Sequence, residues 1–184
     1  ESFPQDVMEL LEYFSDAPKQ TVRAVPGTGL KVPVWILGSS LFGAQMAAAF
    51  GLPYAFASHF APQQMKEAIQ QYRNYFRPSQ YLAKPYVMLG FNVIAADTDE
   101  EAKLLATSGQ QAFVNLRTGR PSKLKPPVTG YFESLDPMAQ TMLQHLLSCS
   151  AVGSRDTVAA ALEKFIAETE ADELMISGHI FDHV

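Results

Sequence analysis

Val7, Leu10, Leu11 and Phe14 recur at i, i+3, i+4 and i+7, a spacing that predicts an amphipathic helix over residues 6–14. Residues 17–29 read as loop. Residues 32–37, Val-Pro-Val-Trp-Ile-Leu, form an unbroken apolar run of the kind expected for a strand covered on both faces. Pro33 stands near its start, where a missing N–H is tolerated. Gly38-Ser39-Ser40 then interrupts the run, and the alanine-rich stretch 41–50 predicts a helix closed by Gly51.

The same order recurs downstream. Residues 54–58 read as a second strand, and Pro62 opens a helix whose apolar ridge is Met65, Ala68, Ile69, Tyr72 and Phe76. Residues 86–95 form a third strand, after which Thr98-Asp99-Glu100-Glu101 has capping-box spacing and starts a helix carrying Ala102, Leu105, Ala106 and Phe113. Asp136-Pro137 caps a further helix, Ser154 precedes another with Val158, Leu162, Phe165 and Ile166, and residues 174–177 are the last strand. Strands alternating with helices imply parallel pairing through right-handed crossovers, hence an α/β fold. Four such strands are visible, and a closed eight-stranded barrel takes about 250 residues, so this chain is too short for a whole one.

Composition narrows the function classes. Of 184 residues, 47% are hydrophobic and 18% charged, which argues against disorder. The balance of 14 basic against 19 acidic residues gives a net charge of -5 and removes the basic footprint of a nucleic-acid binder. Cys149 is the single cysteine, so an internal disulfide is impossible, and no apolar run reaches the roughly 18 residues of a membrane span. A cytoplasmic setting without nucleic-acid or membrane partners is the expectation. The chain opens on Glu1 and lacks the regions of a signal peptide, which suggests a fragment or processed product.

Gly38-Ser39-Ser40 is the strongest chemical signal, because a turn between a buried strand and a helix offers unpaired N–H groups and a favourable dipole to an anion such as phosphate. An ordinary N-cap turn would look the same. Asn92 stands inside an otherwise apolar strand with Gly90 on its face, so its amide either meets backbone partners or faces a ligand. His59 and His179 follow predicted strands, where parallel α/β folds bind ligands, whereas His145 falls in a predicted helix. With His183 included, no histidine pair has zinc-helix spacing, and no metal is expected. Cys149 reads as a buried small apolar residue, Asp97, Asp99, Glu100 and Glu101 as helix-dipole charges. The aromatics Tyr54, Phe56, Phe60, Tyr72, Tyr75 and Phe76 read as core.

Two stretches, Val34-Trp35-Ile36-Leu37-Gly38-Ser39-Ser40 and Ala47-Ala48-Ala49-Phe50-Gly51-Leu52-Pro53-Tyr54-Ala55-Phe56-Ala57-Ser58-His59-Phe60, closely resemble the bacterial luciferase-like monooxygenases. Tyr72-Arg73, Phe76-Arg77-Pro78-Ser79, Asp97-Thr98, Glu101-Ala102, Asp172-Glu173-Leu174-Met175 and Phe181-Asp182-His183 extend the likeness over nearly the whole chain. The resemblance implies a TIM-barrel type (β/α)8 fold that binds reduced flavin, usually FMN and in some branches coenzyme F420. It implies a single domain over 1–184, corresponding to the C-terminal half of that barrel, strands five to eight, with residues 107–150 as a helical insertion before the last strand. The N-terminal half, which in the family supplies much of the flavin pocket, has no counterpart here.

Position by position, the resemblance puts Gly38, Ser39 and Ser40 at the flavin-phosphate turn, with Gly43 at a neighbouring position that carries a hydroxyl in luciferase. Ser58 falls where luciferase has a tryptophan beside the flavin. Asn92 falls where alkanesulfonate monooxygenases have a pocket histidine, and Gly90 where they have an arginine, so a sulfonate substrate is not expected. The implied function is an FMN-dependent monooxygenase active when both barrel halves are present, the chain pairing as a homodimer or with the missing half. A non-catalytic flavin- or phosphate-binding module and a structural half-barrel are the alternatives, and the residues alone identify no catalytic acid or base.

Overall fold

The computed structural model describes residues 2–16 and 21–182. His183 and the first part of the loop expected over 17–29 lie outside the described residues. Five parallel strands build one sheet: β1 (Ile36–Gly38), β2 (Tyr54–Phe56), β3 (Val87–Ala95), β4 (Ser150–Gly153) and β5 (Glu173–Ser177). The helices are α1 (Phe3–Tyr13), α2 (Leu41–Phe50), α3 (Met65–Tyr75), α4 (Asp99–Arg117), the single turn α5 (Tyr131–Ser134), α6 (Pro137–Leu146) and α7 (Arg155–Thr169).

β1, β2, β3 and β5 are the four strands that the apolar pattern predicts, and they form a continuous arc. Met88 and Leu89 of β3 pair with β2 on one edge and with β5 on the other. Asn92 pairs with both Ser177 of β5 and Ser150 of β4. β4 therefore lies on the β2 side of β3, beyond the point where β2 ends. The apolar pattern does not predict this strand, because Ser-Ala-Val-Gly is short and carries one β-branched residue.

Two expected strands are shorter than their apolar runs. β1 starts at Ile36 rather than at residue 32, since its first bond is Ile36 N–H to Pro53 O and the residues before Pro53 cap a helix. Residues 32–35 thus have no neighbouring strand to pair with among the described residues. β2 ends at Phe56 rather than at residue 58, because the Ser58 N–H turns back onto Phe56 O. Pro62 opens a 3-10 turn, Pro62–Gln64, and the α-helical geometry begins only at Met65.

Thr98 and Asp136 cap their helices as the sequence predicts, whereas the Ser154 hydroxyl makes no capping bond at the start of α7. Thr98 Oγ1 accepts from Glu101 N–H at 3.1 Å, and Asp136 Oδ1 accepts from Met138 and Ala139 N–H. Gly51 ends α2 in the left-handed conformation at φ 62°, and a Cβ there would stand 2.4 Å from Arg77 O, so both backbone and space demand glycine. Residue 107, the expected start of a helical insertion, lies in the middle of α4, while α5 and α6 occupy the later part of that stretch.

Alternation separates the two faces of the sheet. Ile36, Tyr54, Phe56, Val87, Leu89 and Phe91 share one face and are buried under α2, α3 and α7. Tyr72 and Cys149 join this core, whereas Phe60 and Tyr75 are exposed. Burial pushes the Cys149 thiol up, which keeps it a neutral, small apolar group. The opposite face presents Leu37, Ala55, Met88, Gly90, Asn92, Met175 and Ser177. Leu37 there is 60% exposed, and β1 and β5 each have one free edge among the described residues.

Candidate functional site

α2 begins directly after β1, so its first N–H groups emerge at the C-terminal end of the sheet. Ser40 is the N-cap residue in extended geometry, φ −142° and ψ 170°, but its hydroxyl makes no capping bond. Ser39 and Ser40 are both exposed. The turn therefore combines uncapped helical donors with two hydroxyls that have no partner among the described residues, which is a chemically competent phosphate seat. Tyr54 braces it from below by donating to Ser40 O at 3.3 Å, and burial raises the Tyr54 phenol so that it stays protonated. Gly38 and Gly43 face each other across the turn, and a Cβ at Gly43 would meet Gly38 Cα at 3.6 Å, an ordinary contact.

The next strand end is built differently. Ser58 is fully buried, and its Oγ donates to Gly90 O at 2.6 Å. Asn92 is 5% exposed, and its Nδ2 donates to His59 O at 2.8 Å while its Oδ1 is buried without a partner. These two bonds fasten the chain after β2 onto β3. The imidazole of His59 then lies across Gly90, whose Cβ, if present, would fall 1.8 Å from His59 Nδ1. Only glycine permits this arrangement.

His59 Nδ1 is buried and has no hydrogen-bond partner among the described residues. Burial, and secondarily the neighbouring His179, holds the imidazole below its ordinary pKa. Both histidines line a pocket of about 410 Å³ with Leu37, Met175, Ser177 and the α4 residues Phe113 and Leu116. The His179 ring stands edge-on to Phe113 at 5.8 Å, and Gly109 lets His179 approach α4 closely. Arg117 flanks the rim, its guanidinium 5.4 Å from the Phe60 ring centroid.

Gly38, Ser39, Ser40 and Gly43 thus lie together at one strand end, and Ser58, Gly90 and Asn92 at another. Ser58 faces backbone, and Asn92 is half satisfied by it. The seating of His59 on Gly90 was not foreseen, although both pocket histidines follow strands, the one signal available in the sequence. Among the described residues no group of three or more His, Cys, Asp or Glu could hold a metal, and no helix is long and apolar enough to cross a membrane.

Comparison with known proteins agrees with this architecture. A luciferase-like monooxygenase of Escherichia coli (strain K12) is 49% identical over the whole chain, which covers 55% of that protein. The uncharacterized protein YvbT of Bacillus subtilis (strain 168) is 45% identical, again over 100% of this chain and 55% of its own length. The chain spans about half the length of the curated relatives it matches. Among solved structures, apo-MsnO8 superposes with a TM-score of 0.78 at 26% identity, covering 98% of this chain and 55% of that one. The arc of parallel strands with its helices is half of a TIM-type barrel. The family described as luciferase-like monooxygenase matches residues 9–173, and with the uncapped strand-end turn and the pocket at the same end of the sheet in place, the chain belongs to that family.

Proposed function

We propose that this chain supplies the flavin-phosphate seat and part of the substrate pocket of a flavin-dependent monooxygenase. The observation that carries the reading is the uncapped N-terminus of α2, with the exposed hydroxyls of Ser39 and Ser40 beside it. FMN is the cofactor that fits first, with coenzyme F420 as the alternative, since both present a phosphate to such a turn. When bound, the reduced flavin supplies the electrons for oxygen chemistry. Ser39, Ser40 and the first α2 donors would hold its phosphate, with Gly38 and Gly43 beside it, and the apolar pocket walls would exclude water. Ser58 and Asn92 would act on the pocket through the position of His59.

Monooxygenation is assigned to a complete barrel. The free edges of β1 and β5, and the exposed Leu37 on the inner face, favour pairing with a second copy or with the rest of a barrel. Light scattering at low micromolar concentration tests this, and a monodisperse species of monomer mass would refute it.

The turn is tested by Ser40→Asp. A carboxylate in a phosphate seat repels the ligand, and at an exposed position the loss of FMN affinity should be about tenfold. The same substitution leaves folding intact, because Asp is as good an N-cap as Ser. Fluorescence quenching of FMN reads the affinity. Equal affinity for both proteins removes the turn from the site, and FMN binding without NAD(P)H-linked oxidation in the complete barrel would favour a non-catalytic flavin-binding module.

A further inference from the structure

The pocket beside the phosphate turn has apolar walls and a polar group with a single defined orientation. His59 Nδ1 is buried against Gly90 with no acceptor in reach. A buried N–H without a partner is rarer and costlier than a buried lone pair, so the ring proton belongs on Nε2. Nε2 is not buried in the same way, and the ring that carries it lines the pocket. Leu37, Ala57, Phe60, Phe113, Leu116 and Met175 supply most of the apolar lining, and no acidic residue is present in it among the described residues. Gly90 of β3 lies against the ring, Asn92 holds the His59 carbonyl, and Ser177 and His179 from the end of β5 and Phe113 from α4 line the same pocket, with Arg117 outside on Phe60.

We propose that His59 is a specificity-determining residue, whose Nε2–H donates to the carbonyl or other acceptor oxygen of a small, otherwise apolar substrate held in this pocket. The pocket volume of about 410 Å³ is within the range of small-molecule sites. A neutral donor in an apolar site discriminates for an oxygen that needs one hydrogen bond and against an anion that needs compensating charge. The depressed basicity of His59 agrees with a neutral ring. The proposal rests on the flavin reading for its place in a reaction, but the recognition it describes is independent of the cofactor.

The test uses the 184-residue chain, [15N]histidine labelling, and two probes that differ by one oxygen, acetophenone and ethylbenzene. At neutral pH the His59 resonances should show the Nε2–H tautomer, and acetophenone should shift the Nε2 signal. Acetophenone should bind about fivefold more tightly than ethylbenzene, as one net hydrogen bond provides. His59→Phe should bring the two affinities together while ethylbenzene binding stays within about twofold. An Nδ1–H tautomer, an unchanged preference in His59→Phe, or no binding of either probe overturns the proposal. Displacement of acetophenone by FMN also overturns it, by giving the pocket to the flavin ring. Failure of the chain to bind FMN, with the acetophenone preference intact, refutes the flavin reading alone.

Discussion

The ends of β1 and β2 are neighbours on one sheet and both carry serine, yet they differ in what their polar groups do. At the β1 end, Ser39 and Ser40 are exposed, and Ser40 does not cap the helix it precedes. At the β2 end, Ser58 is fully buried and donates to Gly90 O, and Asn92 reaches His59 O. One end keeps its hydrogen-bonding capacity unused among the described residues, and the other uses it to hold a histidine in place. The comparison separates polar groups left open to solvent from polar groups consumed by the backbone at adjacent strand ends. It also assigns opposite roles to two glycines, since Gly90 excludes any side chain and Gly43 has room for one.

The largest expected break comes from Gly90→Ala. The new Cβ would sit 1.8 Å from His59 Nδ1, so the ring must leave its seat. Overpacking of this kind costs about 1–3 kcal/mol, to be read as a lower urea midpoint at fixed protein concentration. Unchanged stability would mean that His59 does not occupy this seat. Ser58→Ala should follow at about 1 kcal/mol, because Gly90 O loses a buried donor. FMN affinity should not change directly, and a loss of affinity without a loss of stability would place Ser58 in the binding group instead.

Gly43→Ala should reverse the sign. Its Cβ would make ordinary contacts with Gly38, Tyr54 and Ile36, and alanine in the first turn of α2 gains a part of the roughly 1 kcal/mol by which it exceeds glycine in a helix interior. A rise in the thermal midpoint is the expected result, and destabilisation would show that the β1 end is packed as tightly as the β2 end. The smallest effect concerns pH. Since the folded pKa of His59 lies below its ordinary value of 6.5, the unfolded chain binds more protons between the two values. Stability should rise slightly with pH across that window and level off above it. Comparing urea midpoints of wild type and His59→Phe over this range isolates the contribution, which vanishes in the variant.

Much of the fold was legible because its signals are local. Thr98 and Asp136 cap their helices through N–H groups two or three residues away, and Gly51 stops α2 by its own backbone conformation. Strand limits were less legible, since they depend on a neighbour. Residues 32–35 are as apolar as the strand that follows but have nothing to pair with, and β4 is a strand only because Asn92–Ala95 lies beside it. Asp99 shows the same limit. Its place at a helix start reads as a dipole charge, yet its carboxylate also accepts from Ser154 N–H and Thr157 Oγ1, and these bonds hold it below the usual carboxylate pKa.

By itself the sequence determined the alternation of strands and helices, the parallel α/β class, the principal caps and a motif set sufficient for the family. It also singled out the strand-end positions where chemistry is concentrated, including His59 and His179. The tertiary structure alone decided which of those groups are free. Ser40 and Ser58 are the same residue type at comparable positions, and their roles differ because burial and hydrogen-bond partners come from strands distant in the chain. The orientation of His59 is set by a missing side chain on another strand, at Gly90, and no local pattern around His59 encodes that space.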